Sequence, residues 1–189
     1  MSKININENM NVLDVGCGKD GRSVSDYAPL DWSITGIDIL APAKVHHKHP
    51  KFRYVMCDAS NLSQFDSDSF DVCICVGMFE HIVHVETYMA IASEIQRVGR
   101  QYIIIAPYKY CLIEPHYGIP FFPLLPYGLK LSIIKAINLS DQRHVIAANS
   151  NYVKDNYIWH SNSEYLSIFP SSHVYILPTL DTIAVIKRN

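Results

Sequence analysis

Short apolar blocks recur along the first part of the chain, and a glycine or an acid closes most of them. Val12, Leu13 and Val15 make the first block, which ends at Gly16. Ser33–Ile39, Phe52–Cys57, Phe70–Val76 and Gln101–Ala106 follow, the last ending at Pro107. These blocks have strand length, and Phe70–Val76 is a near-continuous apolar run, which predicts a strand covered on both faces. Val85–Val98 has a different rhythm. Val85, Tyr88, Met89, Ile91, Ala92, Ile95 and Val98 are apolar, a stripe at helical spacing, with Gly99 placed as a C-cap. Arg22–Tyr27 predicts a short helix stopped near Pro29, and Asn61–Phe70 is polar enough to be loop. Strand and helix therefore alternate through residue 107, which predicts a parallel sheet with right-handed crossovers. In such a sheet a ligand sits at the carboxyl ends of the strands, beside the switch in strand order.

The texture changes after Pro107. Tyr108-Lys109-Tyr110 and the run from Glu114 to Pro123 are crowded with proline and aromatic residues. Pro126–Leu139 then predicts a helix carrying Leu129, Ile133, Ile134 and Ile137. Further on, Ser163 is placed to cap a short helix, Glu164–Phe169, that stops at Pro170. Val174–Leu177 and Thr182–Lys187 read as strands with a tight connection, an antiparallel hairpin.

The chemistry concentrates at the ends of the first blocks. Gly16 and Gly18 let the chain turn sharply and let a ligand approach the backbone. The turn aims backbone N–H groups at that ligand. Gly16 to Gly21 spells G-x-G-x-x-G, which alone would suggest a dinucleotide. Three acids argue otherwise. Asp14 precedes the glycines, where it would repel a pyrophosphate and attract a cationic ligand. Asp38, in Gly36-Ile37-Asp38-Ile39, ends the second block and can accept from both hydroxyls of a ribose. Asp58, in Val55-Met56-Cys57-Asp58, ends the third and is placed to accept from an adenine amino group.

With these residues in view, the chain resembles the class I S-adenosylmethionine-dependent methyltransferases. The resemblance rests on Asp14-Val15-Gly16-Cys17-Gly18, on Asp38, on Cys57-Asp58-Ala59, and on Phe70-Asp71-Val72 leading to Phe79-Glu80-His81-Ile82. These motifs stand in family order over about residues 10–108. The family's usual third glycine is replaced by Asp20, with Gly21 one place later. The resemblance implies an α/β fold: a Rossmann-like three-layer sandwich with a mostly parallel sheet of seven strands or slightly fewer and an antiparallel C-terminal strand. It implies one domain over residues 1–189, with a substrate or lid insert at about 108–150. It implies S-adenosylmethionine as cofactor, held by Asp14, Gly16, Cys17, Gly18, Asp38, Ile39, Cys57, Asp58, Ala59, Val76, Gly77 and His81. Ile113-Glu114-Pro115-His116 is similar to a run found in a subset of bacterial members whose acceptors are hydroxyl-bearing saccharides or secondary metabolites. Related chains often cover the cofactor with a longer helical lead. Residues 1–9 are short and polar, so cover is expected from elsewhere in the chain or from a homodimer partner.

Composition narrows the classes. At 189 residues, with 49% hydrophobic residues, the chain is long enough for one packed core. The net charge is −2 and no long basic run occurs, so nucleic acid is not an expected partner. The Asn/Asp-Pro-Pro-aromatic signature of amino-group methylation is also absent after the fourth strand, where Val76-Gly77-Met78-Phe79 stands instead. No apolar run approaches a membrane span and no leader pattern opens the chain, so stable membrane insertion is not expected. The five cysteines fall mostly in apolar blocks, which suggests reduced thiols in a cytoplasmic protein. Cys73-x-Cys75 lacks a second pair at finger spacing, and His46, His47 and His49 lack a neighbouring carboxylate or cysteine, so no metal is expected.

Methyl transfer to a hydroxyl also needs a proton acceptor. His81, following the fourth strand over the cofactor, and His116, two residues from Glu114 in the insert, are the candidate catalytic histidines, with Glu114 as partner. Glu80 reads as an acid at a helix start. The leading expectation is an enzyme that O-methylates a small molecule. The alternative is a non-catalytic subunit that binds S-adenosylmethionine and regulates or stabilises a partner.

Overall fold

The computed structural model describes residues 6–20, 24, 27–114, 116–137, 157–177 and 182–187. Seven strands form one sheet: β1 (Asn11–Val15), β2 (Ser33–Asp38), β3 (Phe52–Met56), β4 (Phe70–Val76), β5 (Gly99–Pro107), β6 (Ser172–Ile176) and β7 (Thr182–Lys187). Their spatial order is β3-β2-β1-β4-β5-β7-β6. The first five are parallel, and β7 enters antiparallel between β5 and β6. The order reverses between β1 and β4, so the carboxyl ends of β1, β2 and β4 adjoin at one edge of the sheet.

Alternation along the strands builds a core on each face. Leu13, Val15, Cys73, Cys75, Tyr102 and Ile104 pack against one face of helix α1 (Val85–Val98). That helix contributes Tyr88, Ile91, Ala92, Ile95 and Val98, the stripe read from the sequence. A helix near the C-terminus, α3 (Asn162–Ile168), adds Tyr165 to the same core, with Phe169 just beyond its end. On the other face, Val12, Ile34, Val72 and Ile74 pack with Met10, Val24 and Trp32. Helix α2 (Tyr127–Ile137) belongs to a smaller cluster in which Ile134 packs with Tyr117, Phe122 and Tyr157. No helix among the described residues is long and apolar enough to cross a membrane.

Most element boundaries match the sequence reading, and β4 and α1 match it residue for residue. Most of the helix expected at Arg22–Tyr27 lies outside the described residues, as does the end of the Pro126–Leu139 helix. One local reading holds and one is corrected. Gly99 caps α1, its N–H donating to the Ile95 carbonyl, and with φ −102° it also opens β5. A glycine is needed there for space: a Cβ would lie 2.5 Å from Cys73 Sγ and 2.9 Å from the Gln101 carbonyl oxygen. The cap of α3 is Ser161, not Ser163. Ser161 and Glu164 form a reciprocal capping box, with the Ser161 N–H donating to Glu164 Oε2 at 2.6 Å. Lys109 Nζ also donates to Glu164 at 3.2 Å. Burial pushes the Glu164 carboxyl up, but the Ser161 and Lys109 hydrogen bonds outweigh it and hold the pKa at about 2.

Gly99→Ala is expected to lower the unfolding free energy by about 1–3 kcal/mol, as overpacking does. Urea denaturation measures it, and an unchanged midpoint would contradict the packing argument. Glu164 has a depressed folded pKa, so its contribution is present above the unfolded carboxyl range and is lost as pH falls toward about 2. Ser161→Ala should cost about 1 kcal/mol near pH 6 and less near about pH 3. Equal losses at both pH values would show that the capping box does not set this acid dependence.

Candidate functional site

Glycine turns at the carboxyl ends of β1 and β4 shape the first half of the site. Gly16 has φ +71°, and its N–H and that of Cys17 both donate to the Ile37 carbonyl, at 2.9 and 3.1 Å. A Cβ on Gly16 would lie 2.7 Å from Met78 Sδ, so only a bare backbone fits between the strand end and that side chain. Asp38 closes β2. Its Oδ2 accepts from the Gly18 N–H at 3.0 Å and its Oδ1 from the Leu40 N–H at 3.2 Å. The Tyr54 hydroxyl reaches the carbonyls of Asp38 and Leu40, at 2.9 and 2.6 Å, and pins the turn from β3. The second acid is thus held in place before any ligand arrives.

A cavity of about 420 Å³ opens over these turns. Of the residues expected to hold a cofactor, Gly16, Gly18, Asp38, Ile39, Cys57, Asp58, Ala59, Gly77 and His81 line it. Asp14, Cys17 and Val76 do not reach its surface. Asp14 is fully buried beneath the glycine turn, and Cys17 is buried beside it. Burial, with the Asp14 and Asp38 charges added, pushes the Cys17 thiol up to about 12. Ile37, Met78, Ile82, Thr87 and Ile91, which the sequence reading did not assign to the cofactor, also line the cavity. Thr87 and Ile91 are one helical turn apart at the start of α1, so the apolar stripe and its polar edge held a usable signal. The lining holds two carboxylates, Asp38 and Asp58, and no lysine or arginine among the described residues. Such a lining suits a ligand that is cationic and rich in hydrogen-bond donors, and it does not suit a pyrophosphate.

The second half of the site adjoins the first at His81. Phe79–His81 forms a single 3-10 turn after β4, ahead of α1. Glu80 stands in the first turn of this 3-10 helix, as an acid at a helix start. It is 3% exposed, and burial raises its pKa. The insert brings Glu114 and His116 to the same place. Glu114 is fully buried, and three donors satisfy it. Its Oε1 is 2.6 Å from His116 Nδ1 and accepts from Trp159 Nε1 at 3.3 Å, while its Oε2 accepts from the Tyr117 N–H at 2.8 Å. The hydrogen bond to Glu114 raises the His116 pKa above the usual imidazole value, against the opposing effect of burial. In the neutral ring this bond keeps the proton on Nδ1, so the Nε2 lone pair faces Glu80 Oε1, 3.9 Å away.

His81 completes the group, with its ring 5.9 Å from that of His116 and 5.0 Å from that of Tyr157. Tyr157 and Trp159 stack at 5.9 Å and come from the segment just before α3. The Ile158 N–H donates to the Glu80 carbonyl at 2.7 Å and ties that segment to the cluster. The three residues expected to act on an acceptor, His81, Glu114 and His116, are thus brought together, and Glu80, Tyr157 and Trp159 join them. The other histidine run does not converge. His47 stacks on Phe52 at 3.9 Å, and His49 is buried against the Pro29 carbonyl.

Comparison with known proteins agrees with this geometry. Residues 13–104 match the family model described as a methyltransferase domain. Among curated proteins, the chain is 30% identical over 122 residues to a sterol 24-C-methyltransferase of Candida albicans, covering 60% of this chain and 31% of that protein. It is 31% identical over 114 residues to a ubiquinone biosynthesis O-methyltransferase of Rickettsia conorii, covering 50% of this chain and 38% of that one. The matches therefore span only about a third of these relatives. Among solved structures, a SAM-dependent methyltransferase from Methanosarcina mazei superposes with a TM-score of 0.55 at 15% identity, covering 97% of this chain and 94% of the other. Another from Aquifex aeolicus gives 0.56 at 14% identity, covering 97% and 84%.

Proposed function

We propose that this chain, whose residues 13–104 match the methyltransferase-domain model, is a class I S-adenosylmethionine-dependent methyltransferase that methylates a hydroxyl oxygen of a small molecule, a saccharide or a secondary metabolite. The observation that carries this reading is the Glu114–His116 pair, seated with His81 at the rim of the cavity that Asp38 and Asp58 line.

The residues present fit the cofactor. Asp38 would accept from the ribose hydroxyls, Asp58 would face the adenine, and the turn from Gly16 to Gly18 would let the methionine end pass close to the backbone. The bound cofactor supplies an electrophilic methyl group on a positively charged sulfur. Among the described residues no positive side chain opposes that charge in the lining, and the two carboxylates favour it. The protein's task is then to align acceptor and methyl. Such alignment supplies roughly 7–11 kcal/mol of the barrier in well-oriented reactions.

At the acceptor end, Glu114 fixes the ring of His116 so that its basic nitrogen faces the shared rim. A hydroxyl placed there can lose its proton with the help of this cluster as its oxygen takes the methyl. The curated relatives are named for both carbon and oxygen methylation. The His116 imidazole, held by the buried Glu114 carboxylate, favours oxygen, whose proton must leave. The stacked rings of Tyr157 and Trp159 beside His116 suit the flat face of a sugar or of an aromatic metabolite. The segment from Tyr108 through α2, with its own aromatic cluster, would be the wall and lid of that pocket.

Asp38→Ala is expected to weaken S-adenosylhomocysteine binding at least about tenfold while the far-ultraviolet circular dichroism is kept, since a charge-assisted hydrogen bond of about 1.5–3 kcal/mol is lost. Unchanged affinity would place the ribose elsewhere. His116→Ala should lower turnover roughly 10²–10⁴-fold and leave S-adenosylhomocysteine affinity within a factor of about two. Full turnover in that variant would remove His116 from the acceptor end.

A further inference from the structure

Glu80, His81 and His116 turn one ligand atom each toward a common point, all three within 4.8 Å of one another. Two observations show more than a chance meeting of polar groups. Glu80 is nearly fully buried, and its Oε2 has no hydrogen-bond partner among the described residues. A carboxylate in that position costs several kcal/mol unless a cation or donor meets it. In addition, Glu114 holds His116 by Nδ1, which leaves Nε2 as the free donor atom facing Glu80 Oε1 across 3.9 Å. That gap is too long for a hydrogen bond and close to the separation of two ligands on one ion. A carboxylate behind the histidine is the arrangement that fixes the tautomer and orientation of metal-binding imidazoles.

We propose that Glu80, His81 and His116 form a binding site for a divalent transition-metal ion beside the methyl-donor cavity, with Glu114 as the group that positions His116. Two imidazoles and one carboxylate favour zinc over magnesium or calcium, and three protein ligands leave positions open for another molecule. This donor set was not apparent from the sequence, which spreads it over a turn after β4 and a distant insert.

The consequence for catalysis rests on the reading of the chain as a methyltransferase. A hydroxyl at an open position would have its O–H bond weakened by the ion. The proton leaves to water, the oxygen forms a bond to the methyl carbon, and the carbon–sulfur electron pair stays on sulfur, which becomes a neutral thioether.

The test is calorimetric titration of the chelator-treated chain with Zn²⁺ and, separately, Mg²⁺. The expected result is one Zn²⁺ site, with Mg²⁺ weaker, and Zn²⁺ affinity reduced about 10–100-fold in Glu114→Gln and at least as much in Glu80→Gln and His116→Gln. Circular dichroism of each variant confirms folding, and Glu114→Gln keeps the test decisive if a change in the site itself disturbs the fold. No Zn²⁺ binding, or binding unaltered in folded variants, would overturn the proposal; the second result would place the ion elsewhere, such as on His46 and its neighbours. Methyl transfer measured with and without chelator separates the two readings. Turnover that survives chelation would remove the ion from the reaction and leave the methyltransferase standing. Zinc binding without turnover on any acceptor would do the reverse.

Discussion

A parallel sheet packed on both faces has nowhere to place chemistry except at its strand ends, and the whole site follows from that constraint. Strands β1, β2 and β4 carry apolar residues toward two cores, so their sides are closed. At their carboxyl ends the backbone runs out of partners. The structure answers with bonds that cross from strand to strand: Gly16 and Cys17 to Ile37, Cys57 to Asp38, and Gly77 to Ile105. These bonds hold the three turns in a fixed relation and leave Asp38, Asp58 and the bare turn at Gly16 facing one cavity. The reversal of strand order between β1 and β4 opens the space they face.

The second half of the site, the proposed acceptor side, is built on a different principle. Here the fold buries charged and polar groups at a cost and recovers it by pairing. Glu114 is fully buried, yet each of its oxygens has a donor, and those donors come from the insert itself and from the segment before α3. The bonds from Trp159 to Glu114 and from the Ile158 N–H to the Glu80 carbonyl join three distant stretches of chain into one cluster. A network of this kind specifies a single arrangement more sharply than apolar packing would, because breaking any member leaves a buried charge exposed to nothing.

The two halves differ in how far the sequence revealed them. The donor half was legible because its determinants are local: a strand, a glycine turn and an acid occupy consecutive residues, and hydrophobic period marks each strand. The length of α1 and the ends of β4 could be read for the same reason. The acceptor half depends on long-range contact. His81, Glu114 and His116 could be named from their residue types, but nothing local said that they meet, or that Glu80, at the start of a 3-10 turn, is buried. Tyr157 and Trp159 had no signal, because their role comes from a chain crossing between Glu80 and Lys109. Gly99 shows a milder form of the same limit. Its position after a helix was clear, but the reason for glycine there is the approach of Cys73 from a neighbouring strand.

The central claim is that the cavity at the strand ends takes an adenosyl sulfonium ligand and not a dinucleotide. Parallel calorimetric titrations of the purified chain with S-adenosylmethionine, S-adenosylhomocysteine and NADH test it most directly. The account predicts saturable one-to-one binding of both adenosyl ligands and no heat of binding for NADH. Binding of NADH with neither adenosyl ligand bound would contradict it, and the glycine turn would then have to be read as a dinucleotide site despite the acids that surround it.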